Sequence, residues 1–301
     1  MKLVTLEKNG KYTLGVKTGE GIVDVSASAA AMSVDEGKVP HSVHDVIEGG
    51  EAAVLELQAH VNRAMALADR SSFLLDESRV SFGPCVTNPG KIICVGLNYR
   101  KHAEETNAPI PEYPILFNKF NNTLTGHGAD VPLPRTSSKV DYEAELVIVI
   151  GTTAKYVEKQ HALKHVFGYC NVNDLSARDL QMRTHQWLLG KSCDGFSPLG
   201  PYLVTADEVG DPNNLSIRCS VNGEVRQNSN TSDMIFHCDE IVSYISQHMT
   251  LSPGDIILTG TPEGVVLGYP EEKQVYLKDG DVVTIEIEKL GTLTNRMVNE
   301  A

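Results

Sequence analysis

The sequence predicts a β-rich α+β fold: a sandwich or rolled β-sheet preceded by a small N-terminal α/β module. Three observations carry this. Apolar runs of strand length dominate beyond residue 85, at 91–95, 145–150, 202–204, 215–221, 255–258 and 282–287. Asn-Gly dipeptides stand between strand-like segments at Asn9-Gly10 and Asn222-Gly223, and a type I′ hairpin turn needs residues that tolerate positive φ at both positions. Helical periodicity is sparse and does not alternate with the strands as a doubly wound parallel sheet would require.

Taken in order, residues 1–85 read as a module of their own. Strand-like runs flank Asn9-Gly10, and Gly19-Glu20-Gly21 marks a second turn. Over 51–69 the composition switches to Ala, Leu, Glu and Gln. Val54, Leu57, Val61, Met65 and Ala68 recur there at helical spacing, which predicts one amphipathic helix. Nothing in this stretch suggests chemistry. Pro84 and Pro89-Gly90 punctuate the junction, and residues 86–301 form the second unit, with helices predicted at 159–166, 177–188 and 239–247.

A hydrophobic fraction of 41% with 22% charged residues is that of a globular chain with a sizeable core. The net charge of −13 gains nothing from nucleic acid or an anionic membrane, so neither is an expected partner. An anionic small molecule stays open, because a divalent cation reverses the local sign. No run approaches the roughly 18 apolar residues of a membrane span. The opening Met1-Lys2-Leu3-Val4-Thr5-Leu6-Glu7-Lys8 lacks a signal-peptide core, so the expected compartment is the cytoplasm. Cys85, Cys94, Cys170, Cys193, Cys219 and Cys238 include no CxxC pair and read as buried free thiols.

The most informative stretch is Asp141-Tyr142-Glu143-Ala144-Glu145, which opens the apolar run 146–150. Side chains alternate along a strand, so Asp141, Glu143 and Glu145 share a face with about 7 Å between successive members. Such acids repel one another; either the strand end is solvated or a cation neutralises them. Asp174, in Asn173-Asp174-Leu175-Ser176-Ala177-Arg178-Asp179, lies between a β-like segment and a predicted helix. It either caps that helix or joins Glu143 and Glu145 in an all-oxygen site suited to Mg²⁺ or Mn²⁺. Zinc fits less well, since no Cys/His cluster has zinc spacing. His102 and Glu105 stand at i and i+3, neighbours on a helical face: a surface ion pair, or a carboxylate-oriented general base. Lys191, in Gly190-Lys191-Ser192, is a solvated lysine or an isolated site cation. Thr259-Gly260-Thr261-Pro262-Glu263-Gly264 offers hydroxyls and amides to a carboxylate, or is a tight turn.

Together and in this order, these pieces resemble the fumarylacetoacetate hydrolase family. The motifs that carry the resemblance are Gly96-Leu97-Asn98-Tyr99-Arg100-Lys101-His102-Ala103-Glu104-Glu105, Thr125-Gly126-His127-Gly128, the acidic and Asp174 stretches above, Gly190-Lys191-Ser192, Val221-Asn222-Gly223-Glu224 and Thr259-Gly260-Thr261-Pro262. They span about residues 90–298. The resemblance implies the family's mixed β-sandwich roll in a homodimer. It implies Glu143, Glu145 and Asp174 as ligands of Mg²⁺ or Mn²⁺, His102 and Glu105 as a catalytic dyad on a mobile cap, and Lys191 as the active-site lysine. It further implies Thr261 near the substrate carboxylate, Arg178 and Gln181 on the polar wall of that pocket, and Lys119 beside it. Gln186-Trp187-Leu188-Leu189-Gly190-Lys191 is similar to the subgroup named for a fumarylacetoacetate hydrolase domain. Val265-Val266-Leu267 departs from the family's usual Gly-Val-Gly, so a reshaped pocket rim is expected.

The implied activity is metal-dependent chemistry on a small 2-oxo acid through a metal-stabilised enolate. Oxaloacetate decarboxylation and hydrolysis of an acylpyruvate C–C bond come first; oxaloacetate keto–enol tautomerisation and dienoate isomerisation are the alternatives. Hydrolysis needs His102, with Glu105, to activate water; decarboxylation needs no water; tautomerisation moves one proton on and off C3. Lys191 stabilises oxyanion charge in each. A non-catalytic 2-oxo acid binder would need the carboxylates but not the dyad. The cap, 99–113, is polar and Pro-bounded, with too few apolar residues to dock firmly, and is expected to be mobile without ligand.

Overall fold

The computed structural model describes residues 1–300. Asn9 and Gly10 take φ values of 53° and 74° and close the hairpin between strands Lys2–Lys8 and Lys11–Lys17. Asn222 and Gly223 do the same, at 53° and 82°, between Ser216–Val221 and Glu224–Asn230. Both hairpins thus have the backbone that the dipeptides predict.

Twelve strands form one large mixed sheet. Its main path runs Leu74–Leu75, Ile22–Asp24, Lys11–Lys17, Lys2–Lys8, Ser197–Thr205, Val166–Asn173, Ala144–Ile150, Ile256–Leu258, Ile92–Gly96 and Ile115–Lys119. A second sheet of five runs Glu224–Asn230, Ser216–Val221, Val282–Ile287, Gly291–Asn299 and Asp130–Leu133. The central strand Ala144–Ile150 explains the layering. Its even positions Leu146, Ile148 and Ile150 share a core with Ile217, Cys219, Ile285 and Leu293 of the second sheet. Its odd positions Val147 and Val149 face Leu3, Val46, Ile47, Leu57 and Val61 of the N-terminal region. A strand buried on both faces reads as a continuous apolar run, not an alternation. The N-terminal strands extend the large sheet directly, Leu3 lying opposite Leu203.

The helices depart further from expectation. The helix predicted at 51–69 is the second half of Val43–Met65, which starts at a Ser42/Asp45 capping box and bends at Gly50 (φ 60°). The helix expected at 159–166 is α-helical over Lys159–Ala162 and continues as a 3-10 turn over Leu163–His165, up to the strand that begins at Val166. The one expected at 177–188 is two short turns, Arg178–Gln181 and Leu188–Lys191. Between them Thr184 Oγ1 bonds the Gln186 N–H and carbonyl, a local turn that competes with helix. Lys191 therefore stands on a helical turn. All six cysteines are free; Cys193 is partly exposed and the others are buried. No helix among the described residues is long and apolar enough to cross a membrane.

Candidate active site

Register brings the acids together. Ala144 pairs with Asn173, so Glu143 and Asp174 flank the same rung, and the Asp174 N–H donates to the Glu143 carbonyl at 2.9 Å. The chain leaves strand geometry at Tyr142 and Glu143, between Val140–Asp141 and Ala144–Ile150. Strict alternation therefore fails here. Glu143, Glu145 and Asp174 each offer a carboxylate oxygen within 4.8 Å of the others, all three buried. Asp141, expected on the same face, is outside this set.

Cations meet two of the three acids. The Lys191 ammonium lies 2.7 Å from both Glu143 Oε2 and Asp174 Oδ2. Arg178 Nη2 lies 2.8 Å from Glu143 Oε1 and 2.8 Å from Asp141 Oδ2. Burial disfavours the Glu143 charge, but Lys191 and Arg178 outweigh it and hold the pKa near about 2. Glu145 behaves oppositely. Burial first, then the charges of Asp174 and Glu143, push its carboxyl well above the usual range. Glu145 accepts the Gly260 N–H at 2.8 Å and has no ion-pair partner among the described residues. A buried all-oxygen set with one uncompensated acid fits a hard divalent cation, which Glu143, Glu145 and Asp174 would hold.

His102 and Glu105 sit on the helix Arg100–Glu105, with Nδ1 2.8 Å from Glu105 Oε1. A carboxylate on Nδ1 fixes the tautomer and leaves Nε2 as the basic nitrogen. The start of the cap is docked. Tyr99 and Ala103 are fully buried, Tyr99 bridges to Met234, and the Lys101 N–H reaches Asp233. Asn98 bonds Phe236 on both its polar atoms and donates to the Thr259 carbonyl. Two apolar anchors and a buried amide suffice where a count of apolar residues does not.

His102, Glu105, Glu143, Glu145, Arg178, Gln181, Lys191 and Thr261 line one cavity of about 620 Å³. Leu97, Phe117, Trp187, Leu267 and Tyr269 add an apolar share to its lining. Trp187 packs edge-on against Phe117, 5.2 Å between centroids, and covers Gly96 so closely that a Cβ there would lie 2.5 Å from its ring. Leu267 projects from the segment that departs from Gly-Val-Gly, while Val265 and Val266 are buried in the protein. Thr261 spends its hydroxyl on the Ala144 carbonyl and on Gln227. Lys119 does not line the cavity: its ammonium bonds Asp174 and the Phe196 carbonyl. It steadies the acid. His127 is likewise away from the cavity, accepting the Thr294 N–H. Gln227, which ties Ala144 to Thr261 and Pro262, has no local sequence signal.

Sheet layering and the buried carboxylate set define a protein of the fumarylacetoacetate hydrolase type. Comparison agrees: the model of the fumarylacetoacetate hydrolase C-terminal domain matches residues 91–298, and the chain belongs to this family. Bos taurus oxaloacetate tautomerase FAHD2A, mitochondrial, is 45% identical over 95% of this chain and 87% of its own. The Xenopus laevis mitochondrial oxaloacetate tautomerase is 42% identical over 99% of this chain and 90% of its own. Among solved structures, the fumarylacetoacetate hydrolase of Exiguobacterium antarcticum superposes with a TM-score of 0.82 at 34% identity, both chains covered in full. Maleylpyruvate hydrolase of Sphingobium sp. SYK-6, in complex with manganese(II) and pyruvate, gives 0.78 at 30%, again with full coverage.

Proposed function

We propose that this chain tautomerises a small 2-oxo acid, oxaloacetate foremost, at a divalent-metal site formed by Glu143, Glu145 and Asp174. The observation that carries it is the convergence, on one cavity, of Glu143, Glu145, Lys191 and a His102 oriented by Glu105, with an Asp174 oxygen within 4.8 Å of the two glutamates. The tautomerase names of relatives aligned over nearly the whole chain favour this reaction over decarboxylation and hydrolysis.

A Mg²⁺ or Mn²⁺ ion supplies Lewis acidity toward the 2-oxo and carboxylate oxygens when bound. The protein moves the proton. His102 Nε2 takes a proton from C3; the C–H electron pair becomes the C2–C3 double bond, the carbonyl π pair moves onto the oxygen on C2, and that oxygen takes its proton from the protonated His102. Lys191 has three N–H donors; two are held by Glu143 and Asp174, which leaves one for the developing oxyanion. Arg178 and Gln181 bound the polar wall and Thr261 the substrate-carboxylate end, while the apolar lining excludes water.

A second reading, hydrolysis of acylpyruvates, is favoured by that same apolar lining, which suits an acyl tail, and by the manganese and pyruvate in the Sphingobium hydrolase. A metal-supplemented panel of oxaloacetate, acetylpyruvate and fumarylpyruvate separates them, following enol absorbance and pyruvate together. Enol decay without pyruvate supports tautomerisation; pyruvate release favours decarboxylation or hydrolysis. No turnover with metal bound overturns both readings and leaves a binder. We further propose a homodimer. The relatives' names place those proteins in mitochondria, whereas the sequence reading expects the cytoplasm; cell fractionation decides.

A further inference from the structure

Asp141 is fully buried, yet it belongs neither to the carboxylate set nor to the cavity wall. Its two oxygens are saturated with donors from two directions. Oδ1 accepts the N–H groups of Tyr142 and Val266, each at 2.9 Å. Oδ2 accepts the Leu267 N–H at 3.1 Å and Arg178 Nε at 2.8 Å. Charge-assisted bonds of this kind fix position strongly.

Each direction leads to a different half of the site. Through Arg178, whose Nη2 lies 2.8 Å from Glu143 Oε1, Asp141 bears on a candidate metal ligand. Through Val266 and Leu267 it holds the turn Val266–Gly268, which receives the cap. The Gly264 N–H donates to Glu105 Oε2 at 2.9 Å. Gly268 lies so close that a Cβ on it would fall 2.5 Å from Glu105 Cδ. Glu105 in turn holds His102.

We propose that Asp141 is a positioning residue that couples Glu143 to the Glu105–His102 pair, so that the metal ligands and the cap keep their geometry together. This rests on the metal-site reading above. Without the Asp141 charge, Arg178 has Glu143 as its sole carboxylate partner and pulls it from the metal position. An Asn amide would also turn an N–H₂ toward backbone N–H groups, which releases the turn under Glu105.

The test measures Mn²⁺ affinity by calorimetry and trypsin cleavage after Arg100 and Lys101, in Asp141→Asn and, from the other end, Gly268→Ala. Asp141→Asn is expected to weaken Mn²⁺ by about tenfold or more, the effect of losing a partner that orients a ligand, and to speed cleavage while circular dichroism stays native. Gly268→Ala is displaced toward Glu105, yet coupling predicts that it too weakens Mn²⁺. A purely structural Asp141 would lower the melting temperature and leave the Mn²⁺ affinity of the folded protein untouched. Folded Asp141→Asn with wild-type affinity or wild-type cleavage overturns the inference. Should that variant not fold, Gly268→Ala with unchanged Mn²⁺ affinity overturns it instead. A wild-type protein that takes up no Mn²⁺ fails the metal reading itself, and this inference with it.

Discussion

Glu143 and Glu145 are separated by one alanine, yet the protein treats their protons oppositely because Lys191 and Arg178 form ion pairs only with the first, while burial and the neighbouring acids dominate at the second. Removing one anionic ligand should therefore abolish chelation with little effect on packing. We expect Glu143→Gln and Asp174→Asn each to lose Mn²⁺ binding in calorimetric titration; wild-type affinity in both would remove the carboxylate assignment. A second residue prediction concerns stability. His60 bonds Ser28 Oγ at 2.9 Å, and burial, then the Arg63 charge, lower its pKa below the ordinary 6.5. A folded pKa below the unfolded one means the unfolded chain takes up more protons in the window between them. Stability from the neutral ring is thus complete above about 6.5 and falls as pH drops through that window. The melting temperature of wild type should fall more between pH 7 and 5 than that of His60→Gln; parallel curves would exclude His60. The buried carboxylate set was legible because acids at the mouth of an apolar strand demand neutralisation. Asp141 was misread because the chain leaves the strand at Tyr142, a break no periodicity reveals.

Strands were more legible than helices, and the reason lies at the scale of elements. A strand buried on both faces must be apolar along its length, and 146–150 states this in five residues. The segment 177–188 has helical composition but folds as two turns, because a Thr184 turn interrupts it and Lys191 must reach the acids. Asp45 three residues after Ser42 was a readable capping signal for the start of Val43–Met65, masked by Gly49-Gly50. The start of the cap carries two buried anchors, Tyr99 and Ala103, that a count of its polar residues does not weigh. Wild-type protein should accordingly resist trypsin at Arg100 and Lys101 with or without oxalate and Mg²⁺; fast cleavage that the ligand suppresses would restore the mobile lid. On the opposite wall, Trp187 closes the apolar end over Phe117 and Gly96. Trp187→Ala should raise turnover of long-chain acylpyruvates relative to oxaloacetate by about tenfold, within the range that pocket size alone discriminates. An unchanged ratio would mean that the substrate does not extend to this wall.

The large sheet also sets the last prediction, that of the whole molecule. One side of Ile115–Lys119 pairs with Ile92–Gly96; the other carries no strand among the described residues. An exposed strand edge with apolar neighbours is a template for another chain. Here Tyr113, Phe120 and Leu189 are 61%, 54% and 59% exposed, too much for a core role. Phe120 borders both the groove along Leu116 and Met249 and the one beside Leu188 and Leu189, so the two are continuous. A second copy presenting the same edge would cover this surface with two-fold symmetry. Light scattering should therefore give twice the chain mass for wild type, and the chain mass for Phe120→Asp combined with Leu189→Asp. A monomeric wild type would rule the dimer out; a dimer that survives both substitutions would move its interface elsewhere. Activity should follow mass. Leu188 and Leu189 share one helical turn with Lys191, facing outward while its ammonium faces the acids. Loss of the partner should loosen that turn and lower kcat more than it changes Mn²⁺ affinity, because Glu145 lies on a central strand and Glu143 and Asp174 directly at the ends of central strands, none of them on the turn.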